Sequence, residues 1–300
     1  MTSVPPVVVV GDLLTDVLVR AGAPRTHASD APAVVSLHGG GSGGNVAAWL
    51  ATLGVPVTFV GRVGTDPYGT AAEDGLVRAG VRTELAPDPD APTGACAVIV
   101  HADGERDFLV DPGASANLSP ADLPVGCFGP GRHLHLSGYP VLHTKSRAAA
   151  VAALEQARSV GMTVSLDPAS AAPLAELGAA RFLDLIGPVD LLLPNAEEAV
   201  VLTGAADPAT AAATLSRHAR EVVVTLGAGG ALWSADGAPP VLVPADRVVA
   251  PAETTGAGDA FAAGWLHARL GGAEPTEALR AACALAAEAV ARPGARPGGR

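Results

Sequence analysis

From His133 to Leu193 the chain alternates short apolar runs with segments of helical period. His133–Leu136, Thr163–Asp167 and Asp190–Leu193 read as strands; Lys145–Val160 and a stretch near Leu174–Leu185 read as the helices between them. A β-α-β-α-β order admits few folds. Strands joined through helices lie parallel, and the helices cover the sheet. Val7–Val10, ended by Gly11-Asp12, has the β-branched character of a further buried parallel strand. The 300 residues suffice for one large α/β domain or two small ones, and 49% of them are hydrophobic. Aromatic residues are only 3%, so Ala, Val and Leu must fill the core.

Two pairs of strand-like pieces stand outside this rhythm. Val17–Arg20 with Ala33–Leu37, and Ala95–Val100 with Arg106–Val110 around the turn signal Ala102-Asp103-Gly104, predict a small antiparallel sheet beside the main one. An edge hairpin of the main sheet is the alternative.

The net charge of −11 and pI of about 5.1 argue against a nucleic-acid or anionic-membrane partner. Cys96, Cys127 and Cys283 are too few and too scattered for a disulfide framework or a metal site. Met1–Val10 lacks a basic n-region, and no run reaches the roughly 18 apolar residues of a membrane span. These features predict a cytoplasmic protein.

Two glycine-rich sites precede helices. In Pro251–Leu266, PAETTGAGDAFAAGWL, the amphipathic helix from about Asp259 to Leu270 follows Gly256-Ala257-Gly258. Free N–H groups at such a helix start form an anion site, and a carboxylate there is favoured in its ionised form. Asp259 is therefore either a helix cap or a base beside a bound phosphoryl group. In Gly39–Gly54, GGGSGGNVAAWLATLG, the glycines let backbone approach a polyol, and Asn45 can donate to and accept from hydroxyls or cap the helix. Gly39, Gly41 and Gly44 also match G-x-G-x-x-G. A dinucleotide fold wants that motif after the first strand, which here ends in Gly11-Asp12. Asp66-Pro67 reads as a helix cap with Pro at the first helical position. His133 and His135 share a strand face without further ligands in sight.

ETTGAGDAF is similar to the C-terminal signature of the ribokinase-like (PfkB) carbohydrate kinases, and GGGSGGNVAAWLATLG to the N-terminal one. The resemblance runs from Gly11-Asp12 to Gly294-Ala295. It implies an α/β, three-layer fold with a mostly parallel central sheet and a small β lid. It further implies a single kinase domain over 1–300 with lid segments at about 13–37 and 94–111. The implied activity is ATP-dependent phosphorylation of a sugar-like hydroxyl. Asp259 would be the base, and Gly256, Ala257 and Gly258 the anion hole. Asp16, Asn45, Gly40, Gly41 and, less directly, Asp12 would bind the sugar. Asn195, Thr225, Gly227 and Gly230 would bind the nucleotide. Glu198 of the Asn-x-x-Glu motif would act on Mg²⁺ through water, which suits a hard cation that keeps its waters. Glu253 stands where the family usually has Asp; with Thr255 it marks a candidate K⁺ site. Ser42 and Leu14 stand where ribokinases proper favour lysine and a polar residue. The lid strands are candidates for pairing two subunits.

Competing readings are a nucleoside kinase of the same superfamily, a non-catalytic sugar or nucleotide sensor, and a nicotinamide-dependent oxidoreductase using Gly39–Gly44. Few aromatics near the sugar site count against base stacking. A P-loop kinase is excluded, because the only lysine, Lys145, has no G-x-x-x-x-G-K context. The tail Arg292–Arg300, rich in Pro and Gly, predicts fraying beyond Ala295.

Overall fold

Four successive valines, Val7–Val10, form strand β1 and serve two cores at once, since strand side chains alternate. Val8 and Val10 join one buried cluster, Val7 and Val9 another on the opposite face. The computed structural model describes residues 4–21, 30, 32–100, 106–245, 254–292 and 294–297. After β1 come β2 (Leu14–Ala21), β3 (Ala33–Gly40), α1 (Ser42–Thr52), β4 (Val57–Gly64), α2 (Pro67–Arg78) and β5 (Arg82–Asp88). Next are β6 (Thr93–Val100), β7 (Arg106–Gly113), β8 (His133–Ser137), α3 (Tyr139–Leu142), α4 (Arg147–Ser159) and β9 (Thr163–Asp167). Then follow α5 (Ala171–Leu177), α6 (Ala179–Ile186), β10 (Val189–Leu192), α7 (Ala196–Thr203), α8 (Pro208–Leu215) and β11 (Ala219–Thr225). The chain closes with β12 (Ala231–Ala235), β13 (Val241–Val243), α9 (Ala257–Leu270) and α10 (Pro275–Val290).

The main sheet has the order β13-β12-β11-β10-β9-β8-β1-β4-β5. It is parallel from β11 through β5, and β12 and β13 add an antiparallel edge. Helices α4 to α8 cover one face, with Leu154, Leu174 and Phe182 fully buried. Helices α1, α2, α9 and α10 cover the other, around Phe59, Leu76 and Trp265. This is the expected three-layer α/β/α architecture.

The second sheet, β3-β2-β6-β7, differs from expectation in one respect. Its outer pairs are antiparallel, but the central pair β2–β6 is parallel. The cause is connectivity. β1 and β5 run in the same direction, and β2 and β6 each leave the carboxyl edge of the main sheet directly after them. The turn at 102–104 lies outside the described residues.

Other boundaries moved for local reasons. Gly178, at φ 90, splits the expected helix near 174–185 into α5 and α6. Asp66 caps α2 as expected, accepting from the Gly69 N–H, and also holds the Thr93 N–H at the start of β6. The tail is described as far as Pro297, and residues 298–300, on which the expected fraying beyond Ala295 also falls, lie outside the described residues. Ala295 is buried, Trp49 Nε1 donates to its carbonyl at 3.0 Å, and Arg296 and Pro297 continue the ordered path.

Candidate active site

The site follows from the parallel sheet. Asp12 beyond β1, Asp167 at the end of β9, Asn195 beyond β10 and Thr225 ending β11 all gather at the carboxyl edge, where open α/β sheets present ligand clefts. Between this edge and the second sheet lies a cleft of about 720 Å³.

Asp259 stands at the third position of α9, not at its cap, which is Gly256 in the left-handed conformation. Its side chain bridges to α1: Ser42 Oγ donates to Oδ1 and Asn45 Nδ2 to Oδ2, both at 2.8 Å. Burial pushes the carboxyl up to about 6, while the donations from Asn45 and Ser42 pull it down. Asp12 adds repulsion and Arg296 attraction. Burial outweighs the field of the helix N-terminus, yet a carboxyl near 6 is still mostly ionised at neutral pH, as the helix start implies. Gly256 needs its positive φ of 79°, and a Cβ there would lie 2.6 Å from Ala295 Cβ. Gly258 faces open space on the cleft side of the first turn of α9, while the Ala257 N–H donates to the Thr254 carbonyl at 3.2 Å.

Asp12 lines the cleft, yet its carboxylate holds α1 in place. It accepts from the Ser42 and Gly43 N–H groups at 2.9 and 3.2 Å and from Ser137 Oγ at 2.9 Å. Asp16, on β2, lies against Gly40, where a Cβ would fall 2.0 Å from Oδ1. Gly41 lines the cleft with φ 86°. Asn45 spends one N–H on Asp259 and accepts from Arg296 Nε at 3.0 Å. One N–H and one lone pair of its amide remain for a ligand.

Asn195 and Glu198 form a reciprocal capping box on α7: the Glu198 N–H donates to Asn195 Oδ1, and Asn195 N–H and Nδ2 donate to the Glu198 carboxylate. Both still line the cleft. Burial pushes Glu198 up to about 7 against the pull of Asn195. Asp167 is pushed well above the carboxylate range by burial and then by Glu198. A divalent cation bound there would displace the protons, favour the ionised carboxylates and offset the repulsion between them. Thr255 Oγ1 is buried without a partner, an oxygen donor suited to a cation; Glu253 lies outside the described residues.

Thr225, Gly227 and Gly230 line a second, apolar cavity of about 330 Å³ with Ala257, Phe261 and Val290. Thr225, Thr254, Gly258 and Phe261 border both cavities, so the two form one elongated site. Gly230, at φ 94°, turns β11 into β12, so the hairpin and the ligand wall coincide.

A profile of the pfkB family carbohydrate kinases matches residues 5–298. The chain belongs to this family. A ribokinase of Schizosaccharomyces pombe is 30% identical over 309 residues, covering 96% of this chain and 93% of that one. A double mutant of fructokinase from Vibrio cholerae O395, solved with fructose, ADP and potassium, is 29% identical with a TM-score of 0.82, covering 98% of this chain and 94% of the other. Aminoimidazole riboside kinase from Salmonella enterica, solved with its riboside and an ATP analogue, is 29% identical with a TM-score of 0.77, covering 97% and 95%.

As a PfkB kinase, the chain carries site residues that its sequence did not advertise. Ser42, expected only as a departure in the first signature, donates to Asp259. Arg106, on β7, donates through Nη1 to Thr254 Oγ1, and its Nε is buried without a partner. Tyr139 and His143 stack at 6.2 Å on the cleft wall, with Phe108 opposite on β7. The argument against base stacking therefore loses its premise. His133 and His135 are buried strand residues whose rings bond Thr163 and Ser165. Among the described residues no helix is long and apolar enough to cross a membrane.

Proposed function

We propose that the cleft binds a neutral, hydroxylated acceptor over Asp16 and Asn45, and that Asp259 removes the proton of its attacking hydroxyl. ATP runs from Asn195 and the Gly256–Gly258 turn into the apolar cavity beside α10, which suits a flat purine. One observation carries the assignment: a carboxyl held near 6 lies at the N-terminus of α9, between two donors and inside the cleft. Such a group is basic enough to take a proton near neutrality and is already aimed. The N–H groups of Gly256–Gly258 stabilise charge on the transferring phosphoryl. Glu198 and Asp167 suit Mg²⁺ held through water, and bound Mg²⁺ would neutralise phosphate oxygens there. Thr255 Oγ1 suits K⁺. Equal rates in K⁺ and in tetramethylammonium would remove that role.

The charge of the cleft selects the acceptor. Asp12, Asp16, Asp167, Glu198 and Asp259 line it, and among the described residues lining it there is neither lysine nor arginine. An acceptor with its own carboxylate or phosphate would meet repulsion from these carboxylates, while Arg296 behind the cleft is engaged with Asn45 and the Gly40 carbonyl and Arg106 with Thr254. ADP release from Mg-ATP should therefore appear with ribose, fructose, adenosine or pseudouridine and be absent with 2-keto-3-deoxygluconate and tagatose 6-phosphate. Preference for the charged pair would sink this reading. The nucleoside alternative rests on Tyr139, His143 and Phe108, and adenosine outpacing every free sugar would favour it.

The second sheet acts as a lid over the acceptor. Its outer face also suits a second copy of the chain: the row Leu37, Val17, Ala97 and Leu109 crosses all four strands, with Leu37 and Leu109 58% and 61% exposed.

A further inference from the structure

Arg296 lies in the Pro/Gly-rich tail, yet its guanidinium sits directly behind the cleft. It occupies a slot opened by two glycines of the first signature. A Cβ on Gly39 would fall 2.5 Å from Nη1, and one on Gly44 would fall 2.6 Å from Nη2. Nε donates to Asn45 Oδ1 at 3.0 Å and Nη2 to the Gly40 carbonyl at 2.6 Å. The preceding residue is clamped as well, by Trp49 on one side and by Gly256 on the other. The tail thus touches both helices that meet at Asp259.

This geometry fixes an otherwise free choice. The two ends of an Asn amide have nearly the same shape, and Arg offers donors only. The end of Asn45 that faces Arg296 must be Oδ1, which turns Nδ2 toward Asp259. Without Arg296 only the ionised form of Asp259 selects that orientation; a protonated Asp259 can donate to the amide oxygen, so the amide can turn over as the carboxyl takes its proton.

We propose that Arg296 is a positioning residue for phosphoryl transfer: through Asn45 it holds Asp259 aimed and ionised, without touching either substrate. The proposal rests on the reading of Asp259 as the base. The charged and polar groups around Asp259 are Ser42 and Asn45 from α1, Asp12 after β1, Asp167 from β9, Tyr139 from α3 and Arg296 itself. Asp16 on β2 faces Arg296. Arg296 is the only cation in this set, so it alone offsets the carboxylates. Its own charge survives burial, which lowers it only to about 10 while Asp16 and Asp259 hold it up.

The test compares Arg296→Met, Arg296→Lys and Asn45→Ala, each checked for folding by near-UV circular dichroism. ADP release is followed with Mg-ATP and D-fructose or D-ribose, and carbon-13 NMR of labelled Asp follows the Asp259 carboxyl without any acceptor. Arg296→Met should lose about 10²-fold in kcat with KM for Mg-ATP little changed, the low end of a base's contribution. The Asp259 titration should rise by about one pH unit, equivalent to a tenfold change in its proton affinity. Lysine keeps the charge but not the fork, so it should restore the titration and only part of kcat. In an Asn45→Ala background the part of the kcat loss that passes through Asn45 should vanish and only the part due to the lost charge remain, so the combined loss falls well short of the product of the single losses. An unmoved titration, additive losses, or an effect on KM alone would overturn the proposal. Full turnover in Asp259→Asn would instead overturn the assignment of the base.

Discussion

Burial of Asp259 between Ser42 and Asn45 sets opposing demands on a single carboxyl. Its value of about 6 lies above the 3.8 of an exposed Asp, so folding favours the protonated form. The stability this gives is complete below pH 3.8 and lost as pH rises through 6. At pH 8 the folded protein therefore carries an ionised carboxylate at a cost. The shift would be worth about 3 kcal/mol in a dry site, and less here because the cleft opens to solvent. Asp259→Asn can still accept from Asn45 and donate to Ser42 Oγ. It should melt higher than the parent at pH 8, with the gap closing by pH 4, while kcat falls about 10²–10⁴-fold. Differential scanning calorimetry and ADP release read the two sides separately. The acid limb of kcat/KM should lie near pH 6, and Ser42→Ala, which removes a donor to the ionised form, should move it upward. A limb that stays put in Ser42→Ala would show that the hydroxyl does not tune the base.

The glycines of the first signature lack side chains for several reasons, Gly39 and Gly44 to admit Arg296, Gly40 to admit Asp16 and Gly41 for its φ of 86°, which shows at the level of the element what was legible beforehand. The motif identified the α1 entrance and Asn45, and the strand-helix rhythm identified the parallel sheet. Local sequence also revealed Asp66 as the cap of α2, whose partner lies three residues away, but not the capping box of Asn195 with Glu198, and Asn45 and Asp259, readable as caps, sit inside α1 and α9. What it could not reveal were pairings across the chain. Arg296 meets Asn45 from 251 residues away, inside a tail whose composition reads as loose. The parallel pairing of β2 with β6 likewise depends on where β1 and β5 stand. Ser42 stands out in the sequence only as a departure from lysine, whereas its hydroxyl donates to Asp259. Gly40 was placed with the sugar site, and its contact is Asp16. Gly40→Ala should displace that carboxylate, raising KM for the acceptor more than tenfold while KM for Mg-ATP holds; a change confined to Mg-ATP would refute the link. The lid's outer row supports a second prediction. Leu109→Asp places a charge at the end of an apolar stripe and should convert a dimer to monomer in light scattering, with the fold intact. A parent protein that is monomeric at all concentrations would remove the dimer.

Across the whole molecule, two sets of buried titratable groups pull stability in opposite directions over the same pH range. His133 and His135 are fully packed in β8, and burial lowers them to about 3 and about 4 from 6.5. Folding favours their neutral form, so their contribution is complete above pH 6.5 and lost as pH falls through 4 and then 3. Asp259 and Glu198 are raised, so theirs is complete in acid and lost as pH climbs through about 6 and about 7, and Asp167 is raised too and acts in the same direction. Between pH 6.5 and 4.5 the unfolded chain takes up protons on the histidines while the folded chain takes them up on the carboxyls. The difference in protons bound sets the slope of stability with pH, and here the two sets largely cancel. Urea midpoints of the ligand-free protein should therefore change little across this window. Removing one side should unmask the other. In Asp259→Asn the midpoint should fall more steeply toward acid, because a compensating carboxyl is gone. In His135→Gln it should instead rise toward acid, whatever the overall loss from disturbing the bond to Ser165. The slope is the decisive reading, since a packing defect shifts every midpoint by a similar amount and leaves the slope alone. Parallel profiles for the parent and both variants would show that these groups titrate in the folded protein as they do in the unfolded chain.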